Sequence, residues 1–188
     1  MSAITIWLTG LPCSGKSTLA TLLAQNLHVH GVNNFELFDG DVVRTHLSKG
    51  LGFSKPDRDT NVLRIGWVCQ LLAKHEVSSI VAVVSPYRES RNEVRTMIEN
   101  VSGPGSFVEV WVKCSIEECI RRDVKGMYAR AMRGEISHFT GMSDPYEEPL
   151  KSEVVVETNV ESLTESLNRI LVAVSRFKTK YSEERVVP

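Results

Sequence analysis

The chain has 188 residues, of which 42% are hydrophobic and 24% charged, with a formal net charge of -1. That length suits one α/β domain over residues 1–188 with a full hydrophobic core, and the composition argues against both a disordered chain and a basic nucleic-acid binder. No apolar run is long enough to span a bilayer, and the first ten residues lack the basic start and cleavage region of a secretory signal, so a cytoplasmic protein without membrane attachment is expected. The four cysteines, Cys13, Cys69, Cys114 and Cys119, form no C-x-x-C pair and read as reduced thiols rather than as a zinc site.

In chain order, residues 3–8 (Ala-Ile-Thr-Ile-Trp-Leu) predict a short buried strand, and Leu19, Leu22, Leu23 and Leu27 place apolar side chains on one face of a helix behind it. Residues 35–38 predict a second strand, and the β-branched run 79–84 a strand covered on both faces. Between them Val62, Ile65, Cys69 and Leu72 keep helical spacing. Residues 107–112 predict a further strand, followed by a helix opened by a capping box of Ser115 and Glu118; residues 154–156 predict the last strand. Leu163, Leu167, Ile170, Val174 and Phe177 form the stripe of a final helix, with Ser162 and Glu165 as its capping box. Strands alternating with helices imply a mostly parallel sheet wrapped by helices, with ligands bound beyond the carboxyl ends of the strands. Residues 123–149 are polar, glycine-containing and without sustained periodicity, which suggests a mobile lid. The end at Val186-Val-Pro188 is expected to fray.

Gly10-Leu-Pro-Cys-Ser-Gly-Lys-Ser17 matches G-x-x-x-x-G-K-[ST] between a predicted strand and an amphipathic helix, the context that a phosphate loop requires. Gly10 and Gly15 let the backbone curl, so that N–H groups through Cys13 and Ser14 face phosphate oxygens at a helix N-terminus. Lys16 is then the β/γ-phosphate ligand, Ser17 the hydroxyl offered to Mg²⁺, and Thr18 a contact to the α-phosphate. A glycine turn ahead of an ordinary helix is the plainer alternative.

Carboxylates narrow the chemistry. Asp39-Gly-Asp41 follows a predicted strand, where the pair either faces the phosphate loop, as base for an acceptor hydroxyl or as a magnesium contact, or serves as helix cap and solvated turn. Arg44, Arg58, Asn61 and Arg64 either bind an anionic acceptor or line a solvated helix face. Phe53 reads equally as a stacking surface for a base and as core.

These segments resemble the adenylylsulfate (APS) kinase family from about Ile6 to Pro149. The resemblance rests on the phosphate loop, then Asp39-Gly-Asp-Val-Val-Arg44, Gly50-Leu-Gly-Phe-Ser-Lys-Pro-Asp-Arg-Asp-Thr-Asn61 and Ser85-Pro-Tyr-Arg88. It continues with Arg122-Asp-Val-Lys-Gly-Met-Tyr128, Gly134-Glu-Ile-Ser-His-Phe-Thr-Gly141 and Asp144-Pro-Tyr-Glu147. It implies a P-loop fold that transfers the γ-phosphoryl group of MgATP to the 3′-hydroxyl of adenosine 5′-phosphosulfate (APS), giving PAPS and ADP. The implied acceptor site is Asp41, Arg44, Phe53, Arg58, Asn61, Ser85, Phe139 and Thr140 with backbone near Val84 and Gly126, and Asp39 beside it. Phe53 and Phe139 would sandwich the adenine, Asp41 would deprotonate the 3′-hydroxyl, and Arg122 and Arg130 would lie near ATP. Ser85, described in the family as a phosphoserine, is read here as a substrate contact, because Lys16 and Mg²⁺ already stabilise direct in-line transfer. The resemblance also implies a homodimer and an ATP sulfurylase as partner. Pro12, Cys13 and Ser14 depart from the family's Ser-Gly-Ala, and Leu63 and Met132 stand where arginine is common. A kinase for another small hydroxyl acceptor and a silent nucleotide-sensing domain are the competing readings.

Overall fold

A computed structural model describes the backbone of residues 3–183 and the side chains of residues 3–175. The expectation for Val186–Pro188, and that for the Phe177 side chain, lie outside the described residues. Five strands form one sheet: β1 (Thr5–Thr9), β2 (Phe35–Asp39), β3 (Ser78–Ala82), β4 (Phe107–Lys113) and β5 (Val154–Glu157). Their order is β2-β3-β1-β4-β5, and every pairing is parallel. A parallel neighbour needs a long crossover, which the intervening helices supply.

Those helices are α1 (Lys16–Val29), α2 (Gly40–Thr45), α3 (Lys55–Lys74), α4 (Arg88–Ser102), α5 (Ile116–Arg122), α6 (Met127–Met132) and α7 (Leu163–Glu183). Because side chains alternate along a strand, each strand feeds two cores. Ile6 and Leu8 pack with Leu19 and Leu23 of α1 and with Ile170 and Val174 of α7. Trp7 points the other way, into Val62, Ile65 and Cys69 of α3 and Val94 and Ile98 of α4. On that face Gly66 gives α4 its close approach, since a Cβ there would lie 2.4 Å from Val94 Cγ2.

Local signals hold unevenly. At α7 the capping box is complete, with Glu165 Oε2 accepting from Ser162 N at 2.8 Å and Ser162 Oγ accepting from Glu165 N at 3.2 Å. At α5 only half of it forms: Ser115 Oγ accepts from Glu118 N, while the Glu118 carboxylate turns to Arg121 and Arg122. Leu163 is exposed rather than part of the buried stripe. Sheet pairing of β3 ends at Ala82, two residues short of the expected strand, and the chain then turns into Ser85 with φ 39°. The 123–149 segment is not structureless, because α6 lies within it.

All five carboxyl ends lie along one edge of the sheet. The loops leaving β1, β2, β3 and β5 therefore converge there, and the 123–149 segment crosses the same edge.

Candidate active site

The loop after β1 is shaped by two glycines and one residue that is not glycine. A Cβ on Gly10 would sit 2.4 Å from the Val112 carbonyl oxygen, so only glycine lets the loop pass β4. Gly15, with φ 100°, turns the chain into α1, and Cys13 holds φ 61°, a left-handed conformation that costs an L side chain. Lys16 is 8% exposed, and its ammonium donates to the carbonyls of Gly10 (3.0 Å) and Leu11 (2.6 Å). Burial pulls it down to about 8, against the opposing pull of nearby thiols and Asp39. A cation held partly desolvated among N–H and C=O dipoles suits a group that meets phosphate charge.

This loop forms one wall of a cavity of about 580 Å³. Cys13, Gly15, Lys16, Ser17 and Thr18 line it from α1 and its approach; Asp39, Asp41 and Arg44 line it from the end of β2. Asp39 turns out to be the N-cap of α2, its Oδ1 accepting from Asp41 N at 2.9 Å, which leaves the Asp41 carboxylate pointing outward. That carboxylate pairs with Lys125 of the 123–149 segment.

Phe53, in the loop before α3, and Arg58 and Asn61 of α3 line the next side. The Arg44 and Arg58 guanidinium carbons lie 4.5 and 5.2 Å from the Phe53 ring centroid, within cation–π range. Arg58 is buried and donates to the carbonyls of Phe53 and His138, both at 2.9 Å. Burial, and then the charge of Arg44, push it down to about 10, and burial lowers Arg44 too. Two crowded guanidinium groups short of water are relieved by an anion.

Val84 and Ser85 complete the wall after β3. Ser85 is 3% exposed; its Oγ accepts from Trp7 Nε1 at 3.0 Å, and its carbonyl accepts from Arg91 at 2.6 Å and Thr9 at 3.3 Å. A left-handed serine costs about 1–3 kcal/mol and persists only when its surroundings over-determine it, as these bonds do. Arg122 faces the phosphate loop from α5, donating to the carbonyls of Cys13 (3.4 Å) and Thr158 (2.6 Å). Phe139 is 1% exposed and meets Tyr128 edge to face, centroids 4.9 Å apart, with one side toward the cavity.

Several expected residues do not line the cavity. Gly10 and Ser14 lie behind the loop, where Ser14 offers its carbonyl to Thr158 at 2.7 Å. Gly126 is the left-handed N-cap of α6, and Thr140 is wholly buried with no hydrogen bond to its hydroxyl among the described residues. Arg130 is turned to Glu135, and Arg64 is exposed with its guanidinium on the Leu47 carbonyl. Helical spacing defines a face but not its neighbour, and these two arginines face Glu135 and Leu47 rather than the cavity. Conversely Lys125, Thr158 and Glu161 line the cavity without having been singled out. Lys125 had a signal, a lysine beside a glycine in a polar crossing segment; Thr158 and Glu161 had none. A shallower groove of about 380 Å³ between β5 and α7 has no phosphate-binding geometry.

Known proteins match this arrangement. The family described as Adenylylsulphate kinase matches residues 2–157. The adenylyl-sulfate kinase of Gloeothece citriformis is 55% identical over 168 residues, spanning 89% of this chain and 92% of its own. The Mycobacterium tuberculosis APS kinase CysC, solved in complex with AMPPNP and APS, superposes with TM-score 0.85 at 35% identity, over 93% of this chain and 98% of its own. The hexameric APS kinase of Thiobacillus denitrificans gives TM-score 0.71 at 36% identity over 93% of this chain and 29% of its own. With its phosphate loop, its paired aspartates and this breadth of match, the chain belongs to the adenylylsulphate kinase family.

Proposed function

We infer that the chain is an adenylylsulfate kinase, transferring the γ-phosphoryl group of ATP to the 3′-hydroxyl of APS to give PAPS and ADP in sulfate assimilation. The observation that carries this reading is the single cavity in which the phosphate loop faces Asp41, Arg44, Phe53 and Arg58. ATP occupies the side of Lys16, Ser17, Thr18 and Arg122. APS occupies the other, its anionic groups on Arg44, Arg58 and Asn61, its adenine between Phe53 and Phe139, and Ser85 as a contact. Both rings lining one cavity, and the mutual charge of the two guanidinium groups, support that division.

Asp41 accepts the 3′-hydroxyl proton as the oxygen attacks in line, and ADP leaves with its charge on Lys16 and the loop amides. Magnesium fits beside Ser17, where the hydroxyl and the carboxylates of Asp39 and Asp41 are hard oxygen donors at the same cavity. No cluster of three or more His, Cys, Asp or Glu among the described residues could hold a metal unaided, which suits an ion that arrives with the nucleotide phosphates. Bound there, it would neutralise charge on the transferred group. Residues 123–149 act as the lid of this single domain, excluding water and so suppressing hydrolysis of ATP. No helix among the described residues is long and apolar enough to cross a membrane; a cytoplasmic location is part of the proposal. A homodimer and a sulfurylase partner complete the reading; sedimentation at micromolar concentration distinguishes a dimer from a monomer or a larger ring.

The test is a coupled assay with MgATP and APS, scored for PAPS and ADP, with adenosine 5′-monophosphate as control acceptor. PAPS from APS and no product from the control is the expected result. Binding of both ligands without turnover would overturn it in favour of a nucleotide-sensing domain.

A further inference from the structure

Outside the cavity, one buried cation has no part in the roles given above. Arg91 of α4 is 2% exposed, and its three donor sets go to three different elements. Nε donates to Glu109 Oε1 of β4 at 2.8 Å, Nη1 to the Ser85 carbonyl at 2.6 Å, and Nη2 to the Glu147 carbonyl at 2.7 Å. The Ser85 carbonyl belongs to the strained turn that walls the acceptor side. The Glu147 carbonyl belongs to the C-terminal root of the lid.

The two are further stitched together. Glu147 N donates to the Pro86 carbonyl at 2.8 Å, and Arg88 N donates to Glu147 Oε2 at 2.9 Å. Thr9, the last residue of β1 before the phosphate loop, donates to the Val84 carbonyl at 2.8 Å and shares a hydrogen bond with Tyr146 at 3.0 Å. The guanidinium bonds backbone carbonyls of the acceptor wall and of the lid root at once, a link that the Thr9 hydroxyl seconds through Val84 and Tyr146, and its planar fork sets the angle between them. Glu109 fixes that fork from the sheet, and the carboxylate is itself backed by Arg95 at 3.8 Å.

We propose that Arg91 is a positioning residue for phosphoryl transfer: through the carbonyls of Ser85 and Glu147 it fixes the acceptor wall relative to the root of the lid. This rests on the assignment of APS to the Ser85 side of the cavity. Loosening the fork lets the acceptor hydroxyl drift and the lid admit water, while the phosphate loop is untouched.

Arg91→Lys keeps the charge opposite Glu109 and cannot span both carbonyls. The expected result is a fall in kcat of about 10- to 100-fold, the size of effect that misplacement of a reactant produces. KM for APS rises, KM for ATP stays within about two-fold, and more ADP forms per PAPS because water competes for the phosphoryl group. Gln70→Leu is the control: Gln70 Nε2 donates to the Met97 carbonyl of the same helix α4 at 3.0 Å, outside the cavity and outside the Arg91–Glu109 network, and its loss should lower Tm with both KM values and the ADP:PAPS ratio unchanged. If Arg91→Lys fails to fold, Arg91→Met with Glu109→Leu removes both buried charges together and should give the same kinetic pattern. A folded Arg91 variant with only a lowered Tm, unchanged KM for APS and an ADP:PAPS ratio of about one overturns the proposal. A wild-type protein that makes no PAPS overturns the functional reading as well, and the two failures are distinct.

Discussion

Lys16 lies where function and stability pull in opposite directions, and replacing it by methionine exposes the conflict. Its ordinary value of 10.5 falls to about 8 on folding, chiefly through burial. Keeping the ammonium charged at neutral pH therefore costs about 3 kcal/mol, at about 1.4 kcal/mol per pH unit between those values. Lys16→Met removes that cost and retains most of the stem packing, but also removes donors to the Gly10 and Leu11 carbonyls, at about 1 kcal/mol each. The variant should thus be more stable than wild type at pH 7 by about 1 kcal/mol. Between pH 8 and 10.5 the unfolded chain binds a proton that the folded chain has released, so wild-type stability rises with pH relative to the variant. The order should reverse near pH 9, and by pH 9.5 wild type should have gained about 2 kcal/mol on the variant. Urea unfolding of both proteins at pH 7 and 9.5 measures this. A variant less stable at pH 7, or a difference that does not move with pH, would refute the reasoning. Turnover should meanwhile fall by at least about 100-fold, since the lost donor acts on developing charge.

Asp41→Asn should lower kcat by orders of magnitude while KM for ATP changes little, and an enzyme with near-normal kcat would remove Asp41 from the role of base. Ser85→Ala should keep turnover within about ten-fold of wild type, because direct transfer needs no phosphoserine and one contact is worth about 1 kcal/mol. Failure to form PAPS in a folded Ser85→Ala protein, with phosphate found on wild-type Ser85, would reverse that conclusion. Cys13→Gly should raise stability by about 0.5–1 kcal/mol, the left-handed cost at φ 61° less the entropy that glycine loses on folding, read from the urea midpoint.

β1, β3, β4 and β5 were legible because buried parallel strands are apolar, largely β-branched runs; β2, without a β-branched or a buried residue, showed only through Phe35, Leu37 and Phe38, and the phosphate loop through glycines that backbone geometry demands. α4 was not, although Val94, Met97, Ile98 and Val101 keep helical spacing, because its first six residues include no apolar side chain and a buried arginine takes that place. α2 and α6 have six residues each, too few to show a period. The two aspartates were found as a pair, but the division between them, cap for Asp39 and an outward carboxylate paired with Lys125 for Asp41, depends on where α2 begins. Arg64 and Arg130 carry the same chemistry as Arg44 and Arg122; only the tertiary neighbours, Leu47 and Glu135, tell them apart. Cys13 was read as a departure from the family's glycine, yet its positive φ emerges only from the folded loop.

The 123–149 segment has a small hydrophobic core of its own, in which Tyr128 and Phe139 close over Cys114 and Cys119 and against Leu11 and Cys13 of the phosphate loop. Tyr128 also donates to the Pro12 carbonyl at 3.1 Å. Swinging the whole segment outward as a rigid flap would return two aromatic rings to water, at about 2–3 kcal/mol each. Fluctuations of that size are local unfolding events, so amides such as those of Tyr128 and Ala129, which bond the Asp123 carboxylate, should exchange with solvent slowly and as one cooperative block. The tip at Val124 and Lys125, exposed and held by one ion pair, moves without that cost. Substrate traffic through this enzyme would then be governed by a few residues at the tip, while the rest of the segment keeps time with the stability of the nucleotide site itself.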